Sequence, residues 1–134
     1  GVWNVTSFSE LRRNAEEVER WNLVHPNENP KRSHLEESLS KNNVPTVAVS
    51  DYVKMVSEQI GPYVPGSYYC LGTDGFGRSD TRENLRDFFE VDEKMIVLAS
   101  ITQLYRQKCI KKSQFDKLYK GIGIAPDKRN PFRT

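Results

Sequence analysis

Apolar positions along the chain follow two rhythms, and each predicts a different element. Phe8, Leu11, Ala15, Val18 and Trp21 recur every three or four residues, with Arg12, Arg13, Glu16, Glu17, Glu19 and Arg20 on the other faces. That spacing predicts an amphipathic helix over about 8–22. Ser7 and Glu10 stand at capping-box separation in front of it. Val2 to Val5 alternates weakly between apolar and polar and is expected to form a strand. His25-Pro26 through Asn29-Pro30 cannot continue a helix and reads as loop. Leu35 and Leu39 allow a short helix within Ser33 to Ser40. Pro45 to Ser50 is a compact apolar run of strand length, and Asp51 is the expected cap of a helix over about 52–62 carrying Val53, Val56 and Ile60.

A further strand is expected at Tyr68–Leu71, followed at once by Gly72, Gly75 and Gly77. Three glycines so close together predict a sharp turn or a close backbone neighbour, with a positive φ at one of them at least and Phe76 held by its surroundings. Asp80 and Glu83 have the spacing of a capping box for a helix whose apolar stripe is Leu85, Phe88 and Phe89. Asp92 is expected to cap a helix with Met95, Ile96, Ala99 and Leu104 along it. Ser113 is expected to cap the last one, with Phe115, Leu118, Tyr119 and Ile122 as a buried stripe and Gly121 and Gly123 as its end. Strands alternating with helices predict an α/β domain with a largely parallel sheet flanked by helices. Three strands make a thin sheet, which implies that a first strand–helix unit is missing and that the chain is a piece of a longer one.

Composition changes this picture little. The chain has 134 residues, 37% apolar and 28% charged, which suits one globular domain spanning residues 1–134. Its net charge of +2 gives no argument for a nucleic-acid partner. Residues 1–100 hold 11 Lys and Arg against 16 Asp and Glu, a balance of −5, whereas residues 101–134 hold 9 against 2, a balance of +7. The basic end is expected to be the solvated face of the terminal helices. Cys70 and Cys109 have neither metal-ligand spacing nor a disulfide framework, which suits a reducing, cytoplasmic setting. No apolar run approaches the ~20 residues of a membrane span.

The side chains supply no active site. Gly72-x-x-Gly75-x-Gly77 is neither the dinucleotide fingerprint nor a phosphate-cradling P-loop, and Asp74 and Asp80 would repel a phosphate nearby. A tight turn is the expected role. The alternative is an independent regulatory module that binds an anion or nucleotide there, at the start of the following helix. His25 and His34 have no ligand pair at helical spacing and are expected at the surface. Cys70 lies inside a presumed buried strand. Tyr63, Tyr68 and Tyr69 lack the interleaved basic residues of a stacking platform. No catalytic, cofactor-binding or metal-ligating residue is therefore assigned.

The wording of several segments is more specific than their periodicity. Trp3 to Phe8, Glu19-Arg20-Trp21-Asn22 with His25-Pro26, and Ser50-Asp51-Tyr52 precede the block Leu71 to Asp80, which continues through Arg82 to Arg86 and Phe89 to Asp92. In this wording and order the chain resembles the C-terminal domain of the homodimeric, bacterial-type pyruvate dehydrogenase E1 component, within the transketolase superfamily. The resemblance implies a longer parent enzyme that uses thiamine diphosphate and Mg²⁺ to decarboxylate pyruvate and acetylate a lipoyl group of the E2 acetyltransferase. It also implies contacts with other E1 domains and a second E1 subunit. None of the family's cofactor ligands or catalytic histidines falls on a position of this chain, so a non-catalytic domain is implied. Gly72, Asp74, Gly75, Phe76, Gly77, Arg78 and Asp80 are then candidates for the structural turn or for a domain or dimer interface. The family's domain begins with one more strand and helix, so Val2–Val5 is expected to present an unpaired edge prone to self-association.

Overall fold

The computed structural model describes residues 1–39 and 44–133. Helix α1 spans Phe8–Val24 and α2 spans His34–Leu39, followed by strand β1, Thr46–Val49. Helix α3, Lys54–Glu58, and a 3₁₀ turn at Gly61–Tyr63 lead to β2, Tyr68–Leu71. Helices α4, Arg82–Phe88, α5, Glu93–Arg106, and α6, Lys112–Ile122, complete the chain with a 3₁₀ turn at Pro131–Arg133. The two strands pair in parallel, Thr46 opposite Tyr68 and Val49 opposite Leu71. The parallel sheet flanked by helices matches the expected α/β class, with two strands among the described residues instead of three.

The missing strand is the one expected at Val2–Val5. Those residues are irregular, and Val2, Trp3 and Val5 are exposed. The physical reason is the lack of a ladder: weak alternation over four residues does not hold an extended segment unless another strand accepts its hydrogen bonds. The segment therefore presents no sheet edge. The end expected for α2 at Ser40 lies outside the described residues.

Successive side chains of a strand point to opposite faces, and this parity divides the interior. Tyr68 joins Leu35, Ile60 and Val64, against which Phe8, Leu11, Leu39 and Tyr63 also lie, so α1 and α2 cover this side. Leu71 and Val47 face the other way into a cluster with Val91, Ala99, Phe89, Met95 and Ile96 from the α4–α5 segment. The predicted stripe of α1 is the inward one, with Ala15 fully buried. That of α6 is not. No residue of α6 is buried, and Leu118 and Tyr119 remain 47% and 37% exposed. Helix α6 touches α5, and the ring of Phe115 stacks on Tyr105 at 5.1 Å. Its other faces are basic and solvated, as the charge balance implied.

Caps explain most helix starts. Ser7 accepts from the N–H of Glu10 at 3.2 Å and Asp92 from that of Met95 at 3.0 Å, both as expected. A capping box at Ser33 and Glu36, readable in the sequence but not singled out, closes at 2.7 and 3.3 Å and starts α2. The cap of α6 lies two residues before the expected Ser113, at Lys111: the side chain of Gln114 reaches back to the N–H of Lys111 at 2.9 Å. Gly123, with φ 68°, ends that helix, whereas Gly121 lies within it. The buried hydroxyl of Ser57 donates to Lys54 and its carbonyl accepts from Tyr68 Oη at 2.8 Å, while burial pushes the Tyr68 phenol pKa up.

Leu71 is 3% exposed and joins β2 to the α5 cluster. Leu71→Ala should lower stability by about 2–5 kcal/mol, through lost burial and the cavity left behind. Leu118→Ala, on the half-exposed α6, should cost much less. Urea midpoints of the two variants check the order, and equal losses would contradict the division of the core.

A glycine turn and its cleft

Beyond β2 the chain runs beside the start of α3, and the glycines divide into two kinds there. A Cβ on Gly72 would lie 2.7 Å from both the Lys54 nitrogen and the Tyr52 carbonyl oxygen, so only glycine admits this approach. Thr73 donates its N–H to the Tyr52 carbonyl at 2.9 Å and its hydroxyl to the Asp51 carbonyl at 2.6 Å. Gly75 has the expected positive φ, +126°, and a Cβ on it would meet the Pro131 carbonyl oxygen at 2.6 Å. Gly77 has open space around its Cα and no positive φ. Two of the three glycines thus answer to backbone geometry.

Asp74 accepts from the backbone N–H of Lys54 at 3.1 Å, a cap for α3 delivered from 20 residues away. Asp51, the expected cap, does not make it: α3 starts two residues later than expected and its preceding residue, Val53, has no side chain to offer. Helix α3 is also shorter than expected, ending at Glu58 before the 3₁₀ turn. Sequence reasoning missed this long-range cap because spacing rules see only neighbours in sequence.

The cap of α4 also shifts by one residue. Thr81 accepts from the Asn84 N–H at 3.3 Å, with Asp80 just outside the helix. Asp80 accepts from the Asn84 side-chain amide at 2.9 Å and from the Thr81 N–H at 2.7 Å. These bonds, the Asn84 amide first, hold its carboxyl below the usual carboxylate range. Glu83 takes no part in the cap. The hydroxyl of Thr81 wins because it reaches the third helical N–H while Asp80 closes a smaller ring.

Phe76 departs from expectation most clearly. It is 78% exposed rather than held by packing, and it directly follows the positive-φ Gly75. Arg78 lies over the Phe88 ring, 4.1 Å from its centre. Beside the turn opens a cleft of about 660 Å³ with Arg78, Arg82 and Arg86 on its rim and Leu85, Phe89 and Val91 as apolar lining. Asp51 and Asp80 also line it. Arg78 is one of the expected turn or interface candidates; Arg82 and Arg86 are not, and their four-residue spacing on α4 was the available signal.

The remaining candidates stay apart from this cleft. His25 is half-buried rather than a free surface residue, stacked on Trp21 at 4.3 Å with Nδ1 2.8 Å from the Trp21 carbonyl oxygen. His34 is exposed on α2. Cys70 is buried in β2 and Cys109 exposed. Tyr63 and Tyr68 pack against the first cluster, while Tyr69 is 39% exposed. Among the described residues, no three His, Cys, Asp or Glu side chains come together to hold a metal ion. No helix among them is long and apolar enough to cross a membrane.

Comparison with known proteins agrees with this architecture. The chain belongs to the family of the transketolase-like TK C-terminal domain, whose profile matches residues 1–92. Among its relatives, the pyruvate dehydrogenase E1 component of Pseudomonas aeruginosa is 48% identical over 131 residues, 97% of this chain and 15% of that protein. The E1 components of Cupriavidus necator and Escherichia coli K12 are 46% and 44% identical over 97% of this chain and 14% of theirs. The chain spans about one-seventh of the length of these curated relatives.

Gly75→Val should destabilise by about 1–3 kcal/mol, since it forces a β-branched residue into a positive-φ position. Gly77→Val should be close to neutral. Asp74→Ala should cost about 0.5–2 kcal/mol through loss of the α3 cap. Thermal unfolding of the three variants side by side checks the order, and a Gly77 variant as damaged as the Gly75 one would contradict it.

Proposed function

We propose that residues 1–134 act as one domain, the C-terminal, non-catalytic part of a pyruvate dehydrogenase E1 chain. The parent enzyme would carry out thiamine-diphosphate-dependent oxidative decarboxylation of pyruvate and reductive acetylation of a lipoyl group on E2, in the cytoplasm. The observation that carries this reading is 44–48% identity to three E1 components along 97% of the chain. The domain's own work is structural. Its buried polar residues, Ser33, Ser57 and Gln103, serve the fold: Ser33 and Glu36 cap α2, Ser57 bonds within α3, and Ser67 donates to Gln103 across the sheet connection.

Thiamine diphosphate and Mg²⁺ belong, on this reading, to the rest of the parent chain. Holding Mg²⁺ requires converging oxygen ligands, and the carboxylates around the glycine turn are committed otherwise. Asp74 caps α3, and Asp80 is bonded to Thr81 and Asn84. His25, stacked on Trp21, is likewise occupied by its own helix. No chemical step is assigned to these residues.

The segment Gly72, Asp74, Gly75, Phe76, Gly77, Arg78 and Asp80 serves as a built turn that presents an interface to a neighbouring E1 domain or to the second subunit. Exposure of Phe76 supports this role, because aromatic side chains and arginines are enriched at protein contacts.

Two measurements test the reading. The full chain that contains this segment should oxidise pyruvate in the presence of thiamine diphosphate, Mg²⁺ and a lipoyl acceptor. Calorimetric titration of the 134-residue chain alone with cofactor and Mg²⁺ should be flat. Micromolar binding by that chain, or a full chain inert toward pyruvate, would sink the proposal.

A further inference from the structure

Helix α6 does little for the packing of this chain. None of its residues is buried, and Leu118 keeps 47% of its surface in water. Lys117 and Lys120 are exposed and make no hydrogen bond or ion pair with any described residue. Three apart on a helix, they are neighbours and present one face. Lys112 differs, being paired with Asp116 at 2.8 Å. At the corner between α5 and α6 stands Lys108, exposed and with a φ of 60°. That is the left-handed position after a helix that glycine usually fills.

These lysines belong to the part of the chain that sets it apart from the wider domain family. The transketolase-like profile ends at residue 92, whereas similarity to E1 components covers 97% of the chain and so runs on through α5 and α6. Charge divides at nearly the same place. Residues 101–134 carry a balance of +7 against −5 for residues 1–100.

Two physical arguments choose the occupant of this face. Lasting protein contacts bury broad apolar surface, whereas brief encounters are small and polar. Solvated lysines beside one half-exposed leucine suit a contact that forms and breaks at every turnover. An extended polyanion fits less well, since nucleic acid or an anionic membrane would also meet the negative balance of residues 1–100. A compact acidic patch on a protein needs the local lysines alone. Of the partners that the E1 reading requires, the lipoyl-bearing protein is the one that must arrive, accept an acetyl group and leave.

We infer that α6 and the α5–α6 corner form the transient docking face for the lipoyl-bearing protein, which meets Lys108, Lys117 and Lys120 through Asp and Glu side chains, with Leu118 beside them. The inference rests on the E1 reading and adds to it the place where the acetyl acceptor is met. Lysine suits the task, because a mobile point charge attracts a carboxylate without the two-point grip of arginine. Charges of this kind speed encounter and are weakened by salt.

The test uses the full-length parent protein and its lipoylated acetyltransferase. In K117E/K120E the ratio of the KM for the lipoyl protein to the KM for free lipoamide should rise about tenfold or more, while K117R/K120R should restore it. Raising salt from about 50 to about 200 mM should increase the KM for the lipoyl protein far more in the wild type than in K117E/K120E. Carbodiimide coupling of the two wild-type proteins should join Lys117 or Lys120 to Asp or Glu side chains of the lipoyl protein, a readout independent of how the variants fold. A ratio unmoved by charge reversal, or cross-links confined to carboxylates of the parent enzyme, would overturn the inference. So would a charge reversal that abolishes binding to phosphatidylserine vesicles or duplex DNA and leaves the ratio in place, which would assign the face to a membrane or to nucleic acid. A parent protein that oxidises pyruvate with ferricyanide but fails these tests discards the docking face alone, whereas one inert toward pyruvate with ferricyanide discards the E1 reading beneath it.

Discussion

The backbone of Gly72 passes so close to Tyr52 and Lys54 that no side chain fits between them, and much of the fold is arranged around that approach. Once the strands meet α3 in this way, Thr73 and Asp74 come within reach of the Asp51 carbonyl, the Tyr52 carbonyl and the Lys54 N–H. Three hydrogen bonds of about 0.5–1.5 kcal/mol each then act at one place. The next glycine turns the chain toward Pro131, so the end of β2, the start of α3 and the C-terminal 3₁₀ turn converge. The sheet alone could not do this. Two strands of four residues are marginal in water unless something covers them.

Cover comes unevenly. One face of the sheet meets α1 and α2 through Tyr68, and the other meets α5 through Leu71 and Val47. Both clusters are small, and their members come from elements that the glycine turn and its neighbouring caps hold in register. Much of the remaining apolar surface is outward. Val2, Trp3, Phe76 and Phe132 each stay more than half exposed. Apolar exposure of that kind at turn tips and terminal segments suits a domain whose surroundings are other protein surfaces.

Helices α1 and α5 and both strands were legible because their signals are local. Amphipathic spacing and a Ser or Asp cap lie within a few residues of the element they define, and the boundaries of β2 were read to the residue. What escaped the sequence was long-range. Asp51 looked like the cap of α3 and lost to Asp74, which is distant in sequence and brought near by the glycine turn. Val2–Val5 alternated like a strand, yet alternation specifies a face and not a partner. Helix α6 shows the converse: its stripe was correctly helical, but periodicity does not say how deeply a neighbour will cover it. The wording of Leu71 to Asp80 was more informative than any periodicity, and it pointed to the family that residues 1–92 match.

The glycine turn also separates two tasks within a few residues. Gly72, Asp74 and Gly75 spend their geometry on this chain, against Lys54 and Pro131. Phe76 and Gly77 make no comparable demand, since one is exposed and the other has free space around it. A turn that served only to reverse the chain would gain nothing from an exposed aromatic at its tip, whose burial elsewhere could contribute about 1.5–3 kcal/mol. The outward residues therefore add nothing to the packing of this chain. A rigid inner half that fixes the position of an outward half is what a docking element requires, because side chains already held in place lose less entropy when a partner arrives.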